Sequence, residues 1–318
     1  MNSKEEPAPP IALSGSFAPG EEQRWLDALS RAMPSERIRS ARDIAEPERV
    51  ELAIVASPDP ATLSGMASLR WIQSLWAGVE QLVAEPALAH LPIVRMVDPE
   101  LTRTMAEAVL AWTLYLHRDM PAYLAQQRER QWFQRAYVAP SARRVGILGL
   151  GAIGRQAARA LVGAGFPVSG WSTNAKQMEG VSCLHGRDGL VALARATDIL
   201  VCLLPLTPQT RHIVDAGVLR LLPPGAALIN AGRGPLVATD ALIEALDAGR
   251  LSHAVLDVFD DEPLPADSPL WSHPGVTVMP HVAAVTDPQT ASLVAAANVR
   301  SWRETGRIPK AVDRRRGY

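Results

Sequence analysis

Short apolar runs alternate with segments of helical spacing along the whole chain. The runs within the first hundred residues are Ile11–Leu13, Ile38, Leu52–Val55, Trp71–Leu75 and Ile93–Val97. Between the first two runs, residues 21–33 place Trp25, Leu26 and Leu29 at helical spacing. Buried parallel strands connected by helices produce this alternation. We therefore expect one small α/β unit at the start of the chain.

A long helix separates this unit from a second alternating series. Residues 101–120 carry apolar side chains every three or four positions, and residues 121–136 continue as a polar helix rich in Gln and Arg. The strand-like runs that follow are Val145–Leu148, Val168–Trp171, Ile199–Leu204, Ala227–Asn230, Ala254–Phe259 and Val276–Met279. Six parallel strands wound with helices make a sheet of the size of a full dinucleotide-binding domain.

The sequence also indicates where the chain crosses between the two units. Asp98-Pro99 interrupts the chain just before the long helix, which places the first crossing near residue 101. Residues 288–305 form the last predicted helix, and its apolar positions are Leu293, Val294, Ala297 and Trp302. We expect these positions to pack against the first unit, so that the end of the chain completes it.

A glycine-rich turn follows the strand Val145–Leu148 directly and opens a helix. In dinucleotide-binding domains, the first glycine of GxGxxG permits the tight turn, the second lets the pyrophosphate approach the backbone, and the third lets the helix pack close to its strand. The same spacing also occurs in glycine-rich turns of unrelated α/β domains. The flanking strands and helix favour the dinucleotide site. Its predicted cofactor-binding residues are Gly149, Leu150, Gly151, Ala152, Ile153 and Gly154.

Three polar residues follow the last three predicted strands. Arg233 lies between glycines, Glu262 precedes a proline, and His281 follows Met279-Pro280. Because the carboxyl ends of parallel strands meet at one edge of a sheet, we expect the three side chains on the edge that carries the glycine turn. A nicotinamide ring bound at that edge lies beside them. Taken singly, each residue is equally typical of a solvated turn, a surface acid or a core histidine.

Together the motifs resemble those of the D-2-hydroxyacid dehydrogenases, most closely the bacterial glyoxylate/hydroxypyruvate reductases. The matching stretches are GLGAIG at 149–154, LLPLTPQT at 203–210, NAGRG at 230–234, LDVFDDEPLP at 256–265, SPLWSHPGVTVMPHVAA at 268–284 and VDRRRGY at 312–318. The resemblance spans about residues 69–318 and implies an α/β fold with two doubly wound parallel-sheet domains. A flavodoxin-like substrate domain takes residues 1–101 and is completed by residues 286–318, and a Rossmann dinucleotide-binding domain takes residues 102–285.

The resemblance also implies an oxidoreductase that reduces small 2-oxo acids, such as glyoxylate and hydroxypyruvate, to 2-hydroxy acids by hydride transfer from NADPH. Arg233 is then expected to hold the substrate carboxylate and carbonyl, His281 to exchange the proton, and Glu262 to pair with His281. An imidazolium neutralises the negative charge that hydride addition builds on a carbonyl oxygen. A dehydrogenase for a bulkier D-2-hydroxy acid and a non-catalytic dinucleotide-sensing interaction protein of the same fold remain alternatives.

Further site residues follow from the same resemblance. The loop after the run Trp71–Leu75 resembles the family's substrate loop, with Trp76, Ala77 and Gly78 as its binding residues, and a plain glycine turn is the alternative. Beyond the glycine turn, the implied cofactor contacts are Ser172, Thr173, Asn174, Lys176, Leu204, Pro205, Thr210, Ala231 and Asp257. The resemblance also implies a homodimer built around the helix Leu101–Leu116 and its neighbours.

The segment Gly170–Lys176 indicates which dinucleotide is preferred. NAD-specific sites place an Asp or Glu about 20 residues beyond the glycines to bind the ribose 2′-hydroxyl, and this segment has no acid. Related NADP enzymes have Arg where this chain has Thr173 or Asn174, so Lys176 is left to act as a point charge. We predict that NADP is preferred by roughly 10- to 100-fold and that NAD is also used. The alternative is that Lys176 is solvated and both cofactors serve equally.

The composition argues against nucleic-acid and membrane partners. With 32 Lys and Arg against 33 Asp and Glu, the chain has no positive excess to neutralise nucleic-acid phosphates or a membrane surface. No apolar run approaches the ~18 residues of a membrane-spanning helix. Met1–Pro10 carries acids and prolines in place of a signal peptide's apolar core, so we expect a loose N-terminus and a cytoplasmic protein. We also expect Cys183 and Cys202 to be reduced, and the seven histidines form no ligand-spaced pair that predicts a metal site.

Overall fold

The structure, a computed structural model, describes residues 8–317. The predicted loose N-terminus falls mainly on residues 1–7, which lie outside the described residues, and residues 8–10 precede the first strand without regular structure. The chain divides into two compact units, Met1–Leu101 with Thr286–Tyr318 and Thr102–Val285. Each unit contains one parallel sheet, which confirms the predicted α/β fold with two parallel-sheet domains.

The first unit contains a five-stranded sheet in the order β2-β1-β3-β4-β5. Its strands are β1 (Ile11–Gly15), β2 (Ile38–Ser40), β3 (Leu52–Ala56), β4 (Trp71–Ser74) and β5 (Ile93–Val94). The helices between them are α1 (Glu21–Ala32), α2 (Pro60–Ser64) and α3 (Glu80–Ala84). All neighbouring strands are parallel, and all five residues of β3 are buried, as expected for a central strand covered on both faces.

The second unit contains a seven-stranded parallel sheet in the order β12-β11-β10-β9-β6-β7-β8. The helices from the middle of the chain are α4 (Pro99–His117), α5 (Met120–Glu129), α6 (Ala152–Gly163), α7 (Gly186–Arg195), α8 (Ala216–Leu221) and α9 (Thr239–Asp247). The strands are β6 (Val145–Leu148), β7 (Val168–Ser172), β8 (Val181–His185), β9 (Ile199–Cys202), β10 (Ala226–Asn230), β11 (Leu251–Leu256) and β12 (Val276–Val278). The strand order reverses between β6 and β9, the point where open α/β sheets bind ligands.

Two predicted elements of this unit were wrong. The count of six strands omitted β8, an edge strand with only β7 as its partner and only partial burial, so it lacks the continuous apolar run of the central strands. The second polar helix was predicted to reach residue 136, but α5 ends at Glu129. Arg130 takes a left-handed conformation with φ of +55°, which terminates the helix.

The last helix, α10 (Pro288–Thr305), packs in the first unit as expected, with Trp302 buried and Val294 packed against the same core, but two of the four predicted positions face outward. Leu293 is 63% exposed and Ala297 is also exposed, so both were wrongly placed inward. The buried stripe is Ala291, Ser292, Ala295, Ala296, Val299 and Trp302. Small side chains allow close packing of this stripe, and Trp302 meets Trp71 edge to face with ring centroids 5.6 Å apart.

His253 and Thr277 join β11 to β12 through a buried polar contact. His253 Nε2 lies 2.8 Å from Thr277 Oγ1, and the Tyr115 hydroxyl lies 3.3 Å from the same oxygen. The Tyr115 ring meets the imidazole edge to face, and His253 is only 6% exposed. Burial, with a smaller contribution from the nearby His273, lowers the pKa of His253 to about 4. The folded protein therefore holds this imidazole neutral at pH values where the unfolded chain protonates it.

We expect the protein to lose stability in mild acid because of His253. Its pKa falls from 6.5 in the unfolded chain to about 4 in the fold, so acidification from pH 6.5 favours the unfolded state until about pH 4. The loss at the acidic end is at most about 3 kcal/mol. Urea unfolding of wild type and His253→Gln across this range measures it, since the glutamine keeps a polar contact but does not titrate. Parallel loss of stability in both proteins would contradict the assignment.

Candidate active site

The glycine turn lies between β6 and α6, at the switch point of the seven-stranded sheet. Gly149 has φ of +109°, a conformation that side chains oppose. A Cβ atom on Gly154 would lie 1.7 Å from the Gly149 carbonyl oxygen, so only glycine allows this helix start. Gly151 is exposed, with no atom within 4 Å of a Cβ placed on it. Open space in front of the first-turn amides of α6 fits a dinucleotide pyrophosphate.

The loop after β10 carries Arg233. The Asn230 side chain organises this loop, because its Oδ1 accepts from the Gly232 N–H at 3.2 Å and its Nδ2 donates to the Arg233 carbonyl at 3.0 Å. The Arg233 guanidinium donates from Nη1 to the Gly232 carbonyl at 2.7 Å. Arg233 is thus held at both its main chain and its side chain. Asn230 was not among the predicted site residues, although it stands inside the NAGRG motif.

Gly234, the residue after Arg233, allows this loop to pack closely against the loop that follows β11. A Cβ atom on Gly234 would lie 1.9 Å from the Phe259 carbonyl carbon, and the Phe259 N–H in turn donates to Glu262 Oε1 at 2.9 Å. The Arg233 loop and the Glu262 loop therefore touch through their backbones. The sequence prediction that these residues share one edge of the sheet agrees with this contact.

Glu262 and His281 form a close hydrogen-bonded pair. Glu262 Oε2 lies 2.6 Å from His281 Nδ1, while Oε1 is fixed by the Phe259 amide. An ionised carboxylate only accepts, so Nδ1 carries the proton of this bond and Nε2 is the nitrogen left for other partners. The His281 side chain is half exposed, which keeps it accessible to a small molecule.

Asp257 fixes the backbone on which His281 stands. Its two carboxylate oxygens accept from the Val282 N–H at 2.8 Å and the Ala283 N–H at 3.0 Å, and its carbonyl accepts from the His281 N–H at 2.9 Å. These bonds hold His281 in a left-handed conformation with φ of +53°. Asp257 is 1% exposed, and burial raises its pKa. This bracing of His281 was not predicted from sequence, and the predicted contact of Asp257 with the cofactor stays a prediction.

The loop after β7 contains the residues predicted to choose the cofactor. Ser172 is buried and its hydroxyl donates to the Asn174 carbonyl at 2.8 Å, whereas the side chains of Thr173 and Asn174 are exposed. Lys176 Nζ donates to the Leu150 carbonyl in the glycine turn at 2.8 Å. Burial, then the neighbouring Arg155, lowers the pKa of Lys176, and Cys183 opposes this. The ammonium is therefore attached to the glycine turn and is not a freely solvated surface group.

Most of the remaining residues predicted to contact the cofactor have side chains that point into the protein. The side chains of Leu150, Leu204 and Ala231 are buried, so these residues present only their backbone to a ligand. Thr210 closes its own loop, because its hydroxyl donates to the Pro205 carbonyl at 2.7 Å and accepts from the Thr207 N–H at 2.8 Å. Ala152 and Ile153 begin α6 beside the glycines.

The predicted substrate loop, Trp76 to Gly78, lies in the first unit between β4 and α3. Trp76 donates from its indole nitrogen to Ser57 Oγ at 3.2 Å, and its ring meets Trp25 edge to face at 6.1 Å. Its backbone N–H donates to Ser74 Oγ at 3.0 Å. Trp76, Ala77 and Gly78 are each partly exposed. The loop therefore follows the carboxyl end of the interior strand β4, and side-chain contacts hold its backbone.

Residues 8–317 contain neither a cluster of side chains that could hold a metal ion nor a membrane-spanning helix. No group of three or more His, Cys, Asp and Glu side chains is arranged there to hold a metal ion. None of the helices in this range is both long and apolar enough to cross a membrane. Cys183 and Cys202 are free thiols, and complete burial raises the pKa of Cys202 to about 12.

Comparison with known proteins identifies relatives along nearly the whole chain. The family model described as D-isomer specific 2-hydroxyacid dehydrogenase, NAD binding domain, matches residues 110–283. The chain is 35% identical over 305 residues to glyoxylate/hydroxypyruvate reductase A of Yersinia enterocolitica, a match that covers 94% of this chain and 97% of that protein.

Two solved structures are similar over their full length. A D-isomer specific 2-hydroxyacid dehydrogenase from Xanthobacter autotrophicus Py2, in complex with NADPH and MES, is 39% identical with a TM-score of 0.93, covering 98% of this chain and 100% of that one. An NADPH-dependent glyoxylate/hydroxypyruvate reductase from Sinorhizobium meliloti, in complex with NADP and sulfate, is 35% identical with a TM-score of 0.89, covering 97% and 99%.

Proposed function

Because the chain belongs to the D-isomer specific 2-hydroxyacid dehydrogenase family, we propose that it reduces small 2-oxo acids such as glyoxylate and hydroxypyruvate, with NADPH as the preferred reductant. The observation that carries this proposal is the pair His281 and Glu262 beside the Arg233 loop, on the edge of the sheet that holds the glycine turn. An acid–base pair and a guanidinium at that edge suit the reduction of a charged carbonyl compound.

The second unit provides the residues that would hold the dinucleotide. Gly149, Gly151 and Gly154 shape the turn, and the open space at Gly151 is where the pyrophosphate fits. The loop of Thr173, Asn174 and Lys176 would bind the 2′-phosphate. When bound, NADPH supplies a hydride to the carbonyl carbon. Use of NADH at lower efficiency is part of the proposal, and free thiols at Cys183 and Cys202 suit a reducing cytoplasm.

The side chains perform the proton chemistry and the positioning. Arg233 would bind the substrate carboxylate and polarise the carbonyl, since its planar fork matches a carboxylate. His281 would donate a proton from Nε2 to the carbonyl oxygen as negative charge develops there. Glu262 holds the ring through Nδ1 and stabilises the imidazolium, and Asp257 fixes the backbone beneath it. In the reverse direction His281 acts as the base.

The first unit is assigned the role of substrate domain. The residues Trp76, Ala77 and Gly78 are proposed to bind the substrate carboxylate through backbone N–H groups, with Trp76 as a wall of the pocket. Their place after the interior strand β4 supports this role, because open parallel sheets bind ligands outside the carboxyl ends of their strands.

A spectrophotometric assay tests the proposed function. The purified protein is mixed with NADPH and a panel of 2-oxo acids that includes glyoxylate, hydroxypyruvate, pyruvate and phenylpyruvate, and the loss of NADPH absorbance is followed. We expect the highest kcat/KM with glyoxylate or hydroxypyruvate. A preference for phenylpyruvate would indicate an enzyme for bulkier acids. Binding of NADPH without turnover of any acid would indicate a dinucleotide-sensing protein and overturn the proposal.

We further propose a homodimer, with an interface that differs in detail from the sequence expectation. The stripe Val109, Trp112 and Leu116 of α4 is buried within its own unit, so it is not available to a partner. Seven exposed apolar side chains lie instead near the end of α4 and in the residues after it, at Leu114, Met120, Tyr123, Leu124, Trp132, Phe133 and Tyr137. An apolar surface of this kind, concentrated in residues 114–137, is typical of a subunit interface. A second copy of the chain is the proposed occupant.

We expect the wild type to sediment as a dimer and the double variant Trp132→Ser with Phe133→Ser to sediment as a monomer. Both side chains are largely exposed, so their removal should weaken association and leave the fold intact. Trp271→Ser is the matched control, because Trp271 is also exposed but lies in a different part of the unit. A wild type that remains monomeric at micromolar concentration in the ultracentrifuge would refute the interface.

A further inference from the structure

The loop after β7 lacks the arginine expected of a strong NADP site, yet a second cation reaches it from outside the loop. Arg155 stands in the first turn of α6, directly after the third glycine. Its Nη1 lies 3.4 Å from the carbonyl oxygen of Gln177, the residue that follows Lys176. The guanidinium thus crosses from the helix to the loop that follows Thr173 and Asn174.

Arg155 and Lys176 are two positive charges between the start of α6 and the loop that follows β7. Lys176 extends from the loop to the glycine turn, and Arg155 extends from the glycine helix to the loop. Among residues 8–317, neither cation has a carboxylate within ion-pair distance; their hydrogen bonds are to main-chain carbonyls. The proximity of Arg155 helps to lower the pKa of Lys176. Two neighbouring cations without an acid are stabilised by a bound anion.

The two cations differ in how many donors they have available. Lys176 is partly buried and commits one of its three N–H donors to the Leu150 carbonyl at 2.8 Å. Arg155 commits a single donor in a long, weak contact of 3.4 Å, which leaves four N–H groups of its fork. A planar fork binds two phosphate oxygens at once, whereas an ammonium acts as a point charge.

We propose that Arg155 is the principal residue that recognises the 2′-phosphate of NADP, with Lys176 in a supporting role. This inference rests on the proposed use of NADPH and identifies a specificity residue on α6, outside the loop that follows β7. The exposed Thr173 and Asn174 side chains belong to the same loop as Lys176 and can donate further hydrogen bonds to a phosphate. Arg155 of α6 thereby takes the place of the arginine that the loop lacks.

Binding measurements test Arg155 independently of turnover. Calorimetric titration of NADP⁺ and NAD⁺ into wild type and Arg155→Ala should show NADP⁺ bound roughly 10- to 100-fold more weakly by the variant, with NAD⁺ affinity unchanged. Lys176→Ala should cause a smaller loss, and Arg155→Lys an intermediate one. The probe 2′,5′-ADP should lose affinity in parallel with NADP⁺. Because NAD⁺ shares the glycine turn, its retained affinity shows that the site is folded.

Arg159→Ala is the matched control for charge. Arg159 lies one turn later on α6 and is exposed, and its one side-chain hydrogen bond within residues 8–317 is to Gln156 Oε1 at 3.4 Å. We expect this variant to bind both dinucleotides as the wild type does. An unchanged ratio of NADP⁺ to NAD⁺ affinity in Arg155→Ala would overturn the inference, as would an equal loss in Arg159→Ala. Failure of the wild type to reduce any 2-oxo acid would instead count against the proposed function, since binding does not depend on turnover.

Discussion

Replacement of His281 by Asn is expected to lower kcat for 2-oxo acid reduction by about 10²- to 10⁴-fold, the usual contribution of a positioned general acid. NADP⁺ affinity should remain close to that of the wild type, because the hydrogen bonds of His281 in the described part of the chain are to Asp257 and Glu262 and not to the glycine turn. Asparagine is the suitable replacement, since residue 281 has φ of +53° and Asn tolerates this conformation better than most residues. Steady-state kinetics with glyoxylate and calorimetry with NADP⁺ give the two quantities.

His212→Asn is the matched control for this variant. His212 also has a left-handed backbone, with φ of +52°, and its side chain is exposed. The same substitution at that position therefore imposes the same backbone demand without touching the pair of His281 and Glu262. Near-normal turnover in His281→Asn, or an equal loss in both variants, would remove His281 from its proposed role.

Most of the fold followed from the hydrophobic pattern because the central strands are buried on both faces. The strands β3, β6 and β10 are buried along their whole length, and each was placed correctly within a residue or two. The edge strand β8 was missed, since it is half exposed and has a single neighbour. The inward face of α10 was only partly predicted: Trp302 is buried as expected, but most of the other buried positions are alanines, and apolar size alone favoured the exposed Leu293. Whether an edge strand forms and which face of a helix is buried depend on packing between residues that are distant in sequence.

The site residues that belong to sequence motifs could be predicted. The contacts between distant parts of the chain that position them could not. Family membership, inferred from the glycine turn and the motifs around Arg233, Glu262 and His281, is confirmed by the relatives. The bracing of the His281 backbone by Asp257 spans 25 and 26 residues and required the structure. The reach of Arg155 to Gln177 likewise joins a helix to a loop across 22 residues. Neither contact leaves a spacing signature in a single sequence.

The second large effect is expected for Arg233→Lys, a variant that keeps the positive charge. The NAGRG loop fixes the Arg233 backbone through Asn230. In the proposed mechanism, the guanidinium fork binds the substrate carboxylate and carbonyl together. A lysine offers one compact charge in place of the fork, so the two-point grip is lost. We expect kcat/KM for glyoxylate to fall by about 10²- to 10³-fold, the usual cost of losing one donor that stabilises a developing oxyanion. Both a lower kcat and a higher KM should contribute, because the carboxylate is bound before and during the reaction.

Arg250→Lys provides the comparison for this substitution within the same unit. Arg250 is partly exposed and, like Arg233, donates to a main-chain carbonyl, that of Arg220 at 3.0 Å. It lies just before β11, at the opposite end of that strand from the Glu262 loop, so the variant should keep wild-type kinetics. NADP⁺ affinity should be unchanged in both proteins. If Arg233→Lys retained the wild-type kcat/KM while binding NADP⁺ normally, charge alone would suffice at this position. The proposed two-point binding of the substrate by Arg233 would then be wrong.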